Sequence, residues 1–291
     1  MIEKAILRTL VYADIFSYPL TLFQIHKFLI SSKKIGVEEV ERCLEKLVKN
    51  KKIEFRKGFY FLPQRDLVRQ RLKRKKISER KIRMAKKIAF LLKLVPFVKL
   101  VGITGRLAVK NAEEDDDLDF LLITAKNRLW LTRIFVVFLL EFFGLRRRYK
   151  EEKARDKVCL NLFLEEGFLS LPRSKRNLYT AHEIVQINVL WEREEIYRKF
   201  LGANQWVKKY LANAVVGERE EEIKEGGKKG IWDFFESLAY RFQFWYMKRH
   251  KTREKVSFHY AFFHPQPVET WVLEKYRKKL LPVLGEGEIT S

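Results

Sequence analysis

Two aspartates and a glycine are the residues of this chain whose types and spacing are best suited to chemistry. Thr104-Gly105-Arg106 follows one apolar run, and Asp117-Leu118-Asp119-Phe120 opens another after ten intervening residues. Alternate residues of a strand share a face, so Asp117 and Asp119 are expected to point the same way, with Cα atoms roughly 6.5–7 Å apart. Carboxylates this close repel unless a cation lies between them, and Mg²⁺ prefers such oxygens together with substrate phosphates. The pattern indicates metal-assisted phosphoryl or nucleotidyl transfer.

Gly105 supplies the second half of the pattern. A glycine at a strand-to-helix turn lets backbone N–H groups approach a phosphate closely. The alternative to a metal site is that Glu113 to Asp117 is a solvated acidic loop, which is the usual role of such runs. Asp119 is the stronger of the two aspartates, because it interrupts an apolar strand, where an ionised group needs a partner or a metal.

In these residues the chain resembles the nucleotidyltransferase superfamily, which includes DNA polymerase beta and the minimal nucleotidyltransferases. That family's motif is an apolar residue, Gly, then Gly or Ser, a short spacer and Asp-apolar-Asp/Glu-apolar. Thr104-Gly105 and Asp117-Leu118-Asp119-Phe120 match it in order and spacing, and the resemblance covers roughly residues 96–165. It implies that Gly105 and its neighbours lie at the nucleotide phosphates, and that Asp117 and Asp119 hold Mg²⁺ or Mn²⁺.

Two positions depart from the family's pattern. The second Gly or Ser is Arg106 here, which either contacts a triphosphate or crowds it. The family's third carboxylate belongs on a later strand, here 157–164, where the expected position falls on Asn161 or Cys159. Asn161 offers a neutral carbonyl oxygen but no charge. Acids at the strand ends that could substitute for it are Asp156, Glu165 and Glu166. A rearranged metal site and a weakened enzyme both stay open.

Composition indicates a folded protein, since 47% of the 291 residues are hydrophobic and 33% are charged. Cys43 and Cys159 are far apart in sequence and lie in apolar settings. We interpret both as buried thiols in a reducing cytoplasm. The N-terminus lacks the apolar core of a signal peptide.

The longest apolar run, Leu129 to Leu145, is interrupted by Arg133 and Glu141. It is therefore shorter than the roughly 20 clean apolar residues of a membrane span. We interpret it as a helix buried on nearly every face. The expectation is a cytoplasmic protein with no membrane partner.

The net charge of +23 is unevenly distributed. Residues 65–93 carry 13 lysines and arginines against two acids, and a second basic stretch covers residues 146–150. Such clusters attract polyanions, so nucleic acid is a candidate partner. The alternative is a lysine-rich protein with ordinary solvated helix faces, as in a thermophile.

Residues 1–63 have the pattern of a small winged helix. Three amphipathic segments are followed by two short strand-like runs around Gly58, and Thr21 to Gln24 forms a capping-box signature for a second helix ending near Ile30. The third segment begins near Val37, and its polar face is rich in glutamate, which argues against insertion into the major groove of DNA. We expect this domain to position the catalytic domain or to dock a protein.

The remaining boundaries follow from composition. A basic connecting helix is expected over 64–95, a nucleotidyltransferase core over 96–170 and a largely helical region over 171–291, with a linker near 218–230. Within that last region we interpret 177–200 as helical, His182-Glu183 as structural, and the aromatics from Trp232 to Tyr246 as core or a dimer face.

Together these patterns predict an α/β protein whose mixed-sheet nucleotidyltransferase core lies between a winged helix and a helical region. The expected reaction transfers NMP from an NTP to an acceptor hydroxyl on nucleic acid, protein or a small molecule. Two metals would be bridged by Asp117 and Asp119, Asn161 would complete the site, Thr104 and Gly105 would steady the triphosphate, and Arg106 or Lys110 would neutralise charge. The alternatives are an inactive nucleic-acid binder with this fold and an enzyme that adds AMP to protein hydroxyls. Oligomers are possible.

Overall fold

A computed structural model describes residues 2–63, 67–148, 151, 154–214, 230–248, 255–262 and 268–284. Its helices are α1 Ile2–Ile15, α2 Leu22–Lys27, α3 Val37–Lys49, α4 Val68–Leu92, α5 Gly105–Ala108, α6 Leu129–Phe142, α7 Leu178–Val185, α8 Ile196–Ala203, α9 Ile231–Lys248 and α10 Val268–Leu284. Its strands are β1 Glu54–Arg56, β2 Phe59–Phe61, β3 Val98–Ile103, β4 Leu118–Thr124, β5 Val158–Glu165, β6 Asn188–Glu192, β7 Lys255–Val256 and β8 Tyr260–Phe262.

A six-stranded mixed sheet in the order β6-β3-β4-β5-β8-β7 forms the centre of the protein. The neighbours β4 and β5 run parallel, and the other pairs are antiparallel. Since both faces of β4 are covered, the strand is a nearly continuous apolar run in sequence, interrupted by Asp119. The mixed α/β class predicted from the sequence is confirmed.

Two hydrophobic cores cover the two faces of this sheet. One core contains side chains of α4, α6 and α9, packed on residues such as Val101, Phe120 and Phe163. The other contains side chains of α1, α7, α8 and α10, packed on Leu100, Leu121 and Leu164. Leu100 and Val101, or Phe120 and Leu121, are sequence neighbours that enter opposite cores because strand side chains alternate.

The N-terminal 63 residues form three helices and a β1–β2 hairpin around a third core. The Thr21 side chain accepts a hydrogen bond from the Gln24 backbone, and Gln24 caps Thr21 in return, so the predicted capping box is present. The helix that it starts ends at Lys27, earlier than expected. Helix α1 also packs against α10, and its residues Val11, Tyr12 and Ile15 belong to the core on one face of the central sheet.

The region beyond residue 170 is less helical than the sequence suggests. The prediction of a helix over 177–200 is wrong at β6, which pairs with β3 along the sheet edge. The chain leaves α7 at Val185, and the left-handed residues Glu194 and Glu195 separate β6 from α8. Strand β8, also unforeseen, pairs with β5. The expected linker at 218–230 lies outside the described residues except for Gly230.

Helix α6 departs from its predicted burial on nearly every face. Trp130, Val136 and Leu140 are fully buried, but Phe138 and Phe142 are 70% and 74% exposed. None of the helices within the described ranges is long and apolar enough to cross a membrane.

Three basic side chains of helix α4 are buried and have polar partners inside the protein. Arg71 donates to the Tyr18 hydroxyl, Arg74 pairs with Glu113, and Lys81 donates to the Asp116 carbonyl oxygen. These buried cations tie α4 to the N-terminal domain and to the acidic loop before β4. They are therefore not available to a polyanion, and Arg65, Tyr149 and Lys150 of the predicted basic stretches lie outside the described residues.

Candidate active site

The two aspartates meet a cysteine at the end of the parallel strand pair. Asp117 directly precedes β4, and Asp119 is the second residue of the strand, level with Cys159 on β5. A carboxylate oxygen of each aspartate and the Cys159 sulfur all lie within 4.8 Å of one another. Asn161, two residues along β5, lies where the register of the strands shifts between Phe120 and Leu121. The structure thus brings together Asp117, Asp119 and Asn161.

Each aspartate has its own polar partner. The Arg147 guanidinium lies 2.6 Å from Asp117 Oδ2, and Asn161 Nδ2 donates to Asp119 Oδ1. The Cys159 thiol donates to Asn161 Oδ1 at 3.1 Å. Asp119 therefore receives a neutral donor, whereas Asp117 receives a cation. Arg147 was expected only as part of a basic stretch, and its sequence gives no sign that it turns toward β4.

These surroundings change the protonation of the cluster. Burial, followed by the charge of Asp117, raises the pKa of Asp119 to about 8. Burial, followed by the charges of Asp119 and Asp117, raises the pKa of Cys159 to about 12. The Cys159 thiol therefore stays protonated at neutral pH, and thiolate is the form that ligates metals. The oxygen donors of this cluster are the carboxyl groups of Asp117 and Asp119, a set that suits a hard cation once Asp119 is ionised.

Gly105 lies directly against the Asp119 carboxylate. Its φ of +62° is in the left-handed region, and an added Cβ would lie 3.1 Å from Asp119 Oδ2. Both features require glycine here, because a side chain would carry strain and press on the carboxylate. The turn is held by the Thr104 N–H, which donates to the Asp119 carbonyl oxygen at 3.0 Å.

The other two predicted nucleotide-binding residues occupy different positions. Arg106 lines the cleft, and its guanidinium pairs with Glu113 at 2.6 Å and with Asp116 at 3.3 Å. Lys110 is not among the residues that line the cleft. Its carbonyl oxygen accepts a hydrogen bond from Arg71 at 2.7 Å, so this residue helps to fix α4.

The carboxylates open into a cleft of about 1310 Å³. Aromatic side chains from several elements line it, with Tyr12 on α1, Phe16 after α1, Phe28 after α2, Tyr179 on α7 and Trp271 on α10. The N-terminal domain therefore forms part of the cleft wall. These aromatic side chains can hold a planar or apolar group.

Helix α7 contributes two ionisable residues that the sequence led us to interpret as structural. His182 is buried and stacks on Tyr12, with ring centroids 3.9 Å apart, and burial lowers its pKa to about 4. Glu183 lines the cleft. Burial raises its pKa to about 7, and its charge contributes to the raised pKa of Asp119. His182 fits a structural role, whereas Glu183 is a further acidic group that lines the same cleft as Asp117 and Asp119.

Glu183 could have been suspected from one sequence signal. It follows Tyr179 by one helical turn, so both side chains share a face of α7. Comparison with known proteins adds no relative to this geometry, because no family model, no curated protein and no solved structure matches the chain.

Proposed function

We propose that the protein is a metal-dependent nucleotidyltransferase that moves NMP from an NTP to an acceptor hydroxyl. The observation that carries the proposal is the convergence of Asp117 and Asp119 beside Gly105 at the base of a large cleft. The resemblance seen in the sequence motif supports the same activity. The fold alone does not define the chemistry, so the proposal depends on these side chains.

Asp117 and Asp119 are the residues that would hold Mg²⁺ or Mn²⁺. The fit rests on their donor chemistry. The two carboxylates have oxygens within 4.8 Å of each other, and their polar partners are the Asn161 amide on Asp119 and the Arg147 guanidinium on Asp117. When bound, the metal supplies positive charge that stabilises the attacking and leaving oxygens. Asn161 takes the place of a third carboxylate and orients Asp119 by hydrogen bonding.

Arg147 and Gly105 serve the phosphates in this proposal. Arg147 is half-exposed and lines the cleft beside Asp117. A guanidinium there can donate to a phosphate oxygen in place of the Asp117 carboxylate. Gly105 leaves open the space that a side chain would fill, so that a triphosphate can lie against the turn after β3.

Glu183 is the group suited to accept the acceptor's proton. The acceptor oxygen forms a bond to the α-phosphorus and gives its proton to the Glu183 carboxylate. The bond from the α-phosphorus to the bridging oxygen breaks, and its electron pair leaves with pyrophosphate. A base is most effective with a pKa near the working pH, and that of Glu183 is about 7.

Binding of Mg²⁺–NTP tests the site before any acceptor is known. We expect wild-type protein to bind each fluorescent NTP only with Mg²⁺ or Mn²⁺ present, and Asp119→Ala to lose that dependence while it keeps its circular dichroism spectrum. Asp115→Ala is the matched control, because Asp115 lies on the same loop but is exposed. Unchanged Mg²⁺–NTP affinity in folded Asp119→Ala protein would refute the proposal.

A second candidate is nucleic-acid binding without turnover, which two observations favour. The third carboxylate of the motif is Asn161, and α4 keeps eight exposed basic side chains. They are Arg69, Lys73, Lys75, Lys76, Arg80, Arg83, Lys86 and Lys87. A steep fall of RNA or DNA affinity with salt, in protein that transfers no nucleotide, is the result expected for this candidate.

A further inference from the structure

Helix α6 exposes apolar side chains to solvent and no polar ones. Its exposed residues are Ile134, Phe135, Phe138 and Phe142. They recur every three or four residues, which forms one stripe along the helix. The opposite side of α6 packs on the sheet through Trp130, Val136 and Leu140.

Helix α9 packs directly against α6 and has a stripe of the same kind. Phe234, Leu238 and Phe242 are 66%, 54% and 63% exposed, and they also recur at helical spacing. The contact between the two helices includes the Gln243 amide, which donates to the Trp130 carbonyl oxygen at 2.8 Å. Of the 21 large apolar side chains exposed in the described part of the chain, 13 lie on α9, on α6 or on Phe143 directly after it.

The charges on α9 are sorted by sign. Its two acids point inward, with Asp233 paired to Arg128 at 2.6 Å and Glu236 accepting from the Trp130 N–H at 2.7 Å. The exposed charged residues of α9 are Arg241 and Lys248, both basic. In the sequence, Lys228-Lys229 lies just before the helix, and Arg249, Lys251 and Arg253 follow it.

We propose that the exposed stripes of α6 and α9 bind the surface of an anionic lipid bilayer, with both helices lying in the plane of the interface. Phe and Trp side chains beside Lys and Arg are the combination that interfacial helices use, since the rings enter the headgroup region and the cations meet lipid phosphates. The sequence-based expectation of no membrane partner rested on the absence of a spanning run, and interfacial binding requires none.

Charge favours a bilayer over a second copy of this chain as the partner. Two copies that joined these stripes would bring together two chains that each have a net charge of +23 and exposed Arg241 and Lys248 beside the stripe. Like charges at such an interface repel, whereas anionic headgroups attract them.

Vesicle flotation tests the proposal with purified full-length protein. We expect binding to phosphatidylcholine vesicles that contain about one-third phosphatidylglycerol, and little binding to phosphatidylcholine alone. Phe138→Ser combined with Phe242→Ser should lower the partition coefficient roughly tenfold or more. The matched control is Phe23→Ser combined with Phe55→Ser, since Phe23 and Phe55 are 76% and 51% exposed on the N-terminal domain.

Three results would overturn the proposal. One is wild-type protein that stays with the soluble fraction in the presence of anionic vesicles. Another is equal loss of binding in the stripe variant and in the control, with both folded by circular dichroism. The third is a wild-type dimer in sedimentation velocity that the stripe variant converts to monomer, because the stripes would then be covered by a second copy.

Discussion

Replacing Asp119 by Asn is predicted to stabilise the metal-free protein. The closest carboxylate oxygens of Asp117 and Asp119 lie within 4.8 Å, and two unit charges that far apart repel by about 3.5 kcal/mol at an effective dielectric constant of 20. Arg147 offsets part of this repulsion through its contact with Asp117. We therefore expect a gain of about 1–3 kcal/mol in the free energy of unfolding, which raises Tm by about 2–5 °C for a chain of this length.

The pH dependence of this gain has a definite sign. The folded protein holds the pKa of Asp119 at about 8, above that of an unfolded aspartate. Protonated Asp119 costs the fold nothing, so the contribution of Asp119 to native stability falls as pH rises from about 4 through 8. The Tm advantage of Asp119→Asn should be near zero at pH 4 and largest above pH 8.

Thermal unfolding in EDTA and in Mg²⁺ measures both parts of the prediction. Mg²⁺ should raise the Tm of wild-type protein, because a ligand that binds the folded state alone stabilises it by about 2.7 kcal/mol at 100 times its Kd. Asp119→Asn should show no such rise, and the exposed Asp115→Asn should behave as wild type. Equal Tm values for wild type and Asp119→Asn at pH 8.5 in EDTA would refute the reasoning about repulsion.

Three further predictions concern Gly105, Glu183 and His182. Gly105→Ala and Gly144→Ala should each lower the free energy of unfolding by about 1–2 kcal/mol, because alanine is strained in the left-handed region. Only Gly105→Ala should weaken Mg²⁺ binding in calorimetry. Its Cβ meets Asp119, whereas a Cβ at Gly144 meets nothing within 4 Å. Glu183→Gln should lower turnover about 10²–10⁴-fold and remove the rise of rate near pH 7, with Mg²⁺–NTP affinity unchanged; an unaltered pH–rate profile would exclude Glu183 as the base. Burial lowers the pKa of His182 to about 4, so the contribution of His182 to the free energy of unfolding should fall by about 3 kcal/mol as pH falls from about 6.5 to 4. His182→Phe keeps a ring in place and should lose correspondingly less in urea unfolding, and an identical loss would contradict this account of His182.

The two strands that position Gly105 and Asp119 could be predicted because their sequence signals are local. Apolar runs of strand length flank Gly105 and Asp119, and the structure has β3 and β4 there. The N-terminal helices and hairpin were visible for the same reason. Strand β6 was not, because Val189 and Leu190 follow α7 after only three residues and fit a helical face as well as an edge strand.

The composition of the cleft could not be predicted from sequence, since it depends on contacts between distant segments. Nothing local to Arg147 indicates that it meets Asp117, and nothing local to Tyr12 indicates that it stacks on His182. The exposure of Phe138 was missed for a related reason. Helix α6 is apolar on most faces in sequence, and only the packed structure distinguishes the side that meets the sheet from the side that meets solvent.

Nucleotide transfer with four α-labelled NTPs in Mg²⁺ or Mn²⁺ tests the central claim most directly. RNA, cell-lysate protein and the protein itself should be offered as acceptors, beside an Asp117→Asn/Asp119→Asn variant and Asp115→Asn. The account predicts label on one acceptor class with wild type and with Asp115→Asn, and none with the double variant. Label that persists in the double variant, or no transfer by wild type to any acceptor with either metal, would contradict it.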